Sequence, residues 1–260
     1  MTVADLHARM RAGETFLGLG VRLARSTEVA QVAKACGFDW LFIDMEHCSL
    51  DPDMAAQMAM AAEGAGLLSL VRVPGHEPTI ASRILDNGAG GIVVPHVDSP
   101  EEIRPIIERC KFAPVGRRSM GGALPQLAYG ALPAEEHMRA TNANTMIVAM
   151  IESPKAVENA AAIAAMDGVD MLLVGSNDLA MEMGIPGDLG NPRMEEAYRQ
   201  VIDAAGRSGK LAGLGGIYSR PLLERYLPLG FRLVLAGSDM SFVLAGGRER
   251  VALSRDILRG

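Results

Sequence analysis

Eight short apolar runs recur along the chain: FLGLGVRL (16–23), WLFIDM (40–45), LSLVRV (68–73), GIVVPHV (91–97), TMIVAMIE (145–152), MLLVGSND (171–178), KLAGLGGI (210–217) and RLVLAGS (232–238). They are almost continuously apolar rather than alternating, as strands of a parallel sheet covered on both faces should be. Amphipathic segments separate them. EVAQVAKACG (28–37) ends at Gly37, suited to the residue just past a helix, and the segments 53–66 and 79–90 end in the same way. SPEEIRPIIERC (99–110) opens with Ser99 as the expected N-cap, Pro100 at the first helical position and acids in the first turn, and Ser153-Pro154 repeats that opening. Helices are also expected at 195–209, 220–230 and near 240–258. Eight strand–helix alternations without a break in composition predict an α/β fold, one (β/α)8 barrel domain over residues 1–260. A doubly wound open sheet is the structural alternative.

One connection is too long for a simple turn. Residues 113–143 separate the fourth helix from the fifth strand, and connections of that length usually carry function or extra structure. A turn followed by a short helix is expected there, over the barrel mouth or at a subunit contact.

Composition narrows the possibilities. The 260 residues are 49% hydrophobic and 22% charged, enough for an ordinary globular core, and 260 is a usual length for such a barrel. The net charge of −6 and the lack of a basic run argue against a nucleic-acid surface. No apolar stretch reaches the roughly 18 residues of a membrane span. The N-terminal segment is polar with helical periodicity, unlike a signal peptide. Three cysteines, Cys36, Cys48 and Cys110, lack metal-ligand spacing and suit a reducing cytoplasm.

Barrel enzymes carry their chemistry at the C-terminal ends of the strands. The fifth and sixth runs end in Glu152 and Asp178, carboxylates out of place in buried strands unless they aim at one cation. An all-oxygen pair favours a hard ion such as Mg²⁺ or Mn²⁺ over zinc. The bland reading is a helix N-terminal acid and an N-cap. The third run ends in Arg72, placed to hold an anion or to stabilise a growing oxyanion, or else to pair with Asp44 or Glu46. His47, after the second run, is the candidate general base or proton shuttle. The loop Gly175-Ser176-Asn177-Asp178 leads into helical sequence whose first amides could bind a carboxylate, and the glycines within 213–216 leave room for substrate. A Schiff-base mechanism needs a lysine in the mouth. Of the four lysines only Lys155 follows a strand end, one turn into a helix, and Lys210 starts the seventh run at the wrong end.

Taken together, GFDWLFIDMEH (37–47), VRVP with Arg72, ILDNGAGGIVVPHV (84–97), GRRSMGG (116–122), MIES (150–153) and VDMLLVGSNDLAMEMG (169–184) resemble the HpcH/HpaI aldolases, class II pyruvate aldolases acting on 4-hydroxy-2-oxo acids. The resemblance runs from about residue 14 to 250. It implies Glu152 and Asp178 as ligands of a divalent metal (Mg²⁺, Mn²⁺ or Co²⁺), and the loop of Ser176, Asn177 and Asp178 as holder of the substrate carboxylate. It implies Arg72 beside the enolate oxygen, His47 as proton carrier tuned by Asp86 of a neighbouring subunit, and Asp44 as a further acid of the site. It also implies a homohexamer of dimers that exchange the C-terminal helix. The expected reaction is reversible aldol cleavage to pyruvate, or hydroxypyruvate, and an aldehyde. Oxaloacetate decarboxylation or acyl-CoA lysis at the same site is the alternative, and a non-catalytic binding barrel is a third reading.

Three positions depart from the family pattern. Met150 stands where glutamine is frequent, Gly20 where tryptophan is frequent, with Arg22 close behind, and Gly216 where leucine is found. The expectation is a wider pocket whose aldehyde end carries a different charge.

Overall fold

The computed structural model describes residues 3–259. The expected strands form β1 (Phe16–Val21), β2 (Trp40–Asp44), β3 (Leu68–Arg72), β4 (Gly91–Val94), β5 (Met146–Ile151), β6 (Met171–Gly175), β7 (Leu211–Gly215) and β8 (Leu233–Ser238). Each pairs in parallel with the next, and β8 closes on β1, which rules out the open sheet. The closing seam is irregular: Gly18 faces Leu235 but Leu19 faces Gly237, leaving Ala236 as the extra residue of a bulge.

Strand parity sorts the side chains into two cores. One parity packs inside the barrel: Phe16, Trp40, Phe42, Leu68, Leu70, Val93, Met146, Val148, Met150, Met171, Leu173, Leu211 and Leu233. The other parity, with Leu41, Ile43, Val71, Ile92, Ile147 and Leu172 among it, packs against the surrounding helices. Trp40 is fully buried at the base of the interior, and a Cβ on Gly18 would fall 2.1 Å from its ring, so β1 has no side chain there. Helix α1 (Val3–Arg11) closes that end with Leu6 and Met10, both in the interior cluster.

The helices that follow β1 to β4 are α2 (Glu28–Ala35), α3 (Pro52–Gly64), α4 (Pro78–Asp86) and α5 (Pro100–Cys110). Ser99 makes no capping bond. Instead the carboxylate of Glu102 reaches back to accept from the amide of Asp98, the residue before the N-cap position, and so ties the incoming chain to the first turn. Ser153 does cap its helix, α7 (Pro154–Ala164), accepting from the Ala156 amide at 3.0 Å.

The long connection holds a 3₁₀ turn (Pro125–Leu127) and α6 (Ala134–Ala143). It packs at the opposite end of its own barrel from the mouth, because a helix-to-strand connection returns to the N-terminal ends of the strands. Gln126 donates to the carbonyls of Leu85 and Ala89, just before β4. Lys111, 3% exposed, pins the segment's base: its Nζ meets the carbonyls of Asn142 and Thr145 and the carboxylate of Asp170.

Helix α8 (Ser176–Glu182) starts directly from β6, and α9 (Pro192–Arg207) and α10 (Arg220–Tyr226) flank β7. The last helix, α11 (Asp239–Arg259), has no buried residue. Phe242, Val243, Leu244, Val251, Leu253, Ile257 and Leu258 are all exposed along it. No described helix is long and apolar enough to cross a membrane.

Candidate active site

The inward parity that fills the barrel with apolar side chains ends in polar groups at the mouth. Trp40 and Phe42 are followed by Asp44, Leu68 and Leu70 by Arg72, and Met146, Val148 and Met150 by Glu152. Asp44, Arg72 and Glu152 are all buried, and all line one cavity of about 400 Å³. His47, Met150, Ser176, Asn177, Asp178, Gly216 and Gly20 share that cavity with them.

Glu152 is 1% exposed. Its Oε2 accepts from the amide of His96 at 2.9 Å, while Oε1 is buried with no hydrogen-bond partner. Burial raises the carboxyl to about 7, against the opposing effects of the His96 amide and ring and of Arg72, with the Asp178 charge adding to the rise. The carboxylate has space only because Gly175 lies beside it: a Cβ there would stand 2.4 Å from Oε1. A buried carboxylate oxygen without a partner is costly, and a cation would relieve it. Among the described residues no cluster of three or more His, Cys, Asp or Glu side chains could hold a metal. The pair Glu152 and Asp178, both lining the cavity, is a sparser, all-oxygen donor set that suits Mg²⁺ or Mn²⁺ with other oxygens completing the shell.

Arg72 does both things its position allowed. It pairs with Asp44 through Nε–Oδ1 at 3.1 Å and Nη2–Oδ2 at 2.8 Å, and it also borders the cavity. Nη1 lies 2.9 Å from Glu46 Oε2, an ion pair without hydrogen-bond alignment. The guanidinium stacks over the Phe42 ring at 5.2 Å. Burial alone would raise the Asp44 carboxyl, but Arg72 and the amides of His47 and Glu46 outweigh it and hold the group below its ordinary value. For Arg72, burial would lower the guanidinium, and Asp44 foremost reverses this.

His47 stands at the rim with its side chain 49% exposed, its amide fixed on Asp44 Oδ1 at 3.2 Å. Asp86 is not beside it. The last residue of α4, Asp86 lies at the far end of its own barrel, paired with Arg118 at 2.7 Å. The Ser176 side chain turns away from the cavity's ligand space, its Oγ accepting from the Tyr198 hydroxyl at 2.9 Å, so its contribution is backbone. Gly216 does not open the pocket as expected. Its φ of +90° needs glycine, and a Cβ would meet Asn177 Nδ2 at 3.0 Å and Ser176 Cβ at 3.3 Å, so the missing side chain lets two loops pack.

Several residues carry weight that sequence reasoning did not assign. His96, with φ +49°, supplies the amide to Glu152, and its ring nitrogens lie 3.5 Å from Glu152 Oε2 and 3.6 Å from Glu46 Oε1. Only its position at the end of the fourth run hinted at this. Tyr218 lines the cavity, its phenol raised by burial against a backbone hydrogen bond with Gly216 and the charges of Arg22 and Arg72. Asp239 accepts from the amides of Arg22, Leu23 and Ala24 and so fixes the loop after β1.

The HpcH/HpaI aldolase/citrate lyase family pattern matches residues 21–245. The chain belongs to this family. Its members are metal-dependent class II aldolases, and membership makes the chain a carbon–carbon lyase of the kind that cleaves 4-hydroxy-2-oxo acids. The 4-hydroxy-4-methyl-2-oxoglutarate aldolase of Hapsidospora irregularis is 38% identical, covering 92% of this chain and 90% of its own. The hydroxypyruvate/pyruvate aldolase of Chromohalobacter salexigens is 33% identical, over 86% and 87%. Among solved structures, an HpcH/HpaI aldolase from Desulfitobacterium hafniense superposes with a TM-score of 0.89 at 27% identity, over 95% of each chain.

Proposed function

We propose that the protein reversibly cleaves a 4-hydroxy-2-oxo acid to pyruvate, or hydroxypyruvate, and a carbonyl partner, with Glu152 and Asp178 holding a divalent cation. The observation that carries this reading is the buried oxygen of Glu152 without a hydrogen-bond partner, at a cavity also lined by Asp178, by a guanidinium and by an imidazole. A divalent cation bound there supplies Lewis-acid polarisation of the 2-oxo group. Arg72 places fixed positive charge where negative charge grows on that oxygen, in a site dry enough for the interaction to count. His47 removes the proton of the 4-hydroxyl as the carbon–carbon bond breaks and returns one to the partner's oxygen in the reverse direction. The backbone of Ser176, Asn177 and Asp178, at the start of α8, receives the substrate carboxylate where helix amides have no carbonyl four residues back. Oxaloacetate decarboxylation needs the same oxygen stabilised and is expected as a side reaction.

Assembly belongs to the same proposal. The exposed apolar face of α11 supports an exchanged helix between two copies, within a homohexamer. In such an assembly Asp86 of a neighbouring copy approaches His47. Removal of metal with EDTA should abolish pyruvate release from a 4-hydroxy-2-oxo acid, and Mg²⁺, Mn²⁺ or Co²⁺ should restore it. Full turnover in the chelator would overturn the reading.

A further inference from the structure

Arg22 is the second guanidinium on the cavity wall, and the reaction derived above gives it no task. Its Nε lies 3.5 Å from Asp44 Oδ2, the oxygen that Arg72 Nη2 holds at 2.8 Å. Its Nη2 donates to the His47 carbonyl at 3.4 Å. Both contacts are long and the side chain is 45% exposed, so Arg22 keeps donors free for a ligand. Arg72 differs: Nε and Nη2 are committed to Asp44, and Nη1 faces Glu46. The backbone under Arg22 is rigid, because Asp239 takes the amides of Arg22, Leu23 and Ala24 at 3.0, 3.1 and 2.7 Å. Gly20, Gly216, Tyr218, Ser238 and Ser241 line the same cavity.

We propose that Arg22 is the specificity-determining residue of the acceptor half of the site: it holds a carboxylate on the carbonyl partner. The substrate is then a 4-hydroxy-2-oxo acid with a second carboxylate, and the released partner is a short oxo acid. This rests on the aldol reading above and names its substrate class. Two cationic groups meet at one Asp44 oxygen, so only a few carbons separate the oxygen served by Arg72 from a group served by Arg22. A carboxylate on or next to the partner's carbonyl carbon spans that gap. Arginine's planar fork matches a carboxylate through two parallel bonds, and a neutral aldehyde leaves the fork with only its two long contacts.

The test runs the condensation direction with metal-loaded protein and pyruvate as donor. Glyoxylate serves as carboxylate acceptor and acetaldehyde as neutral acceptor, for wild type, Arg22→Met and Arg22→Lys. The quantity read is the ratio of kcat/KM for glyoxylate to that for acetaldehyde. Loss of a charged hydrogen-bond partner corresponds to about a 10- to 100-fold fall of this ratio in Arg22→Met, carried mainly by KM for glyoxylate. Arg22→Lys should recover part of it, since the charge remains and the fork does not. A folding defect lowers both acceptors together and cancels in the ratio. An unchanged ratio in Arg22→Met overturns the proposal. Wild type is also tested for exchange of pyruvate methyl protons with deuterated solvent. Absence of that exchange would overturn the aldol reading itself, whereas exchange with an unchanged ratio would overturn the role of Arg22 alone.

Discussion

Gly175→Ala should disable the cation site without replacing either carboxylate. Gly175 has φ −93° and ψ +91°, which any residue adopts, so an added methyl brings no backbone strain. The conflict is steric and local: the new Cβ would sit 2.4 Å from Glu152 Oε1, 2.8 Å from Cγ and 2.9 Å from Cδ. Ordinary contact begins near 3.4 Å, so the carboxylate must retreat by about 1 Å. It is 1% exposed, and Oε2 is tied to the His96 amide, so it has little room to do so. A displacement of that size costs reactions about 100-fold when geometry is decisive, and metal affinity about 10- to 100-fold. Overpacking should cost the fold about 1–3 kcal/mol, a fall of several degrees in Tm for a chain of this size. Mn²⁺ titration followed by calorimetry gives the affinity, a coupled assay of pyruvate release gives kcat/KM, and a metal-free melt controls for folding. Mn²⁺ affinity and kcat/KM within twofold of wild type would refute the placement of the cation at Glu152.

Other perturbations probe neighbouring parts of the account. Arg72→Ala strips buried Asp44 of both its side-chain hydrogen bonds and leaves it the amides of Glu46 and His47 and the longer contact with Arg22, so it should cost up to about 3 kcal/mol in denaturant unfolding as well as turnover. Because Asp44 titrates below its ordinary value in the folded chain, the stability it contributes is complete above the unfolded carboxyl pKa and is lost as pH falls through the folded one. Melts between pH 7 and pH 3 should show that loss, and Asp44→Asn should flatten it. Cys110 is buried and its thiol is pushed up to about 12, so a thiol reagent at pH 8 should label exposed Cys36 and spare Cys110 until the chain unfolds. Truncation after Gly246 should reduce the assembly seen by light scattering, since residues 247–259 of α11 are exposed throughout in the single chain.

The fold was legible because two periodicities coincide in this sequence. Apolar runs of strand length alternate with helical segments, and within each run one parity ends in a polar residue. That parity is why Asp44, Arg72 and Glu152 converge: each follows inward-facing apolar residues at i−2 and i−4. Asp178 and His47 line the same cavity for a simpler reason, since each lies three residues past the end of a strand. The amide of His96 on Glu152 was not legible, because it depends on a left-handed backbone at residue 96 and joins positions 56 apart. The hold of Asp239 on the loop after β1 spans more than 200 residues and exists only because the barrel closes. Gly216 and Gly175 show the limit from the other side. Both were seen as glycines near the mouth, but only coordinates tell that one space is filled by a loop and the other by the Glu152 carboxylate.

The central claim is that Glu152 and Asp178 hold a cation that makes the pyruvate methyl group acidic. Exchange of pyruvate methyl protons in deuterated water, followed by NMR with no acceptor present, tests it before any question of substrate arises. The account predicts rapid exchange with Mg²⁺ or Mn²⁺, none above background in EDTA, and none in metal-supplemented Glu152→Gln. Exchange at the wild-type rate in EDTA, or in Glu152→Gln, would contradict it.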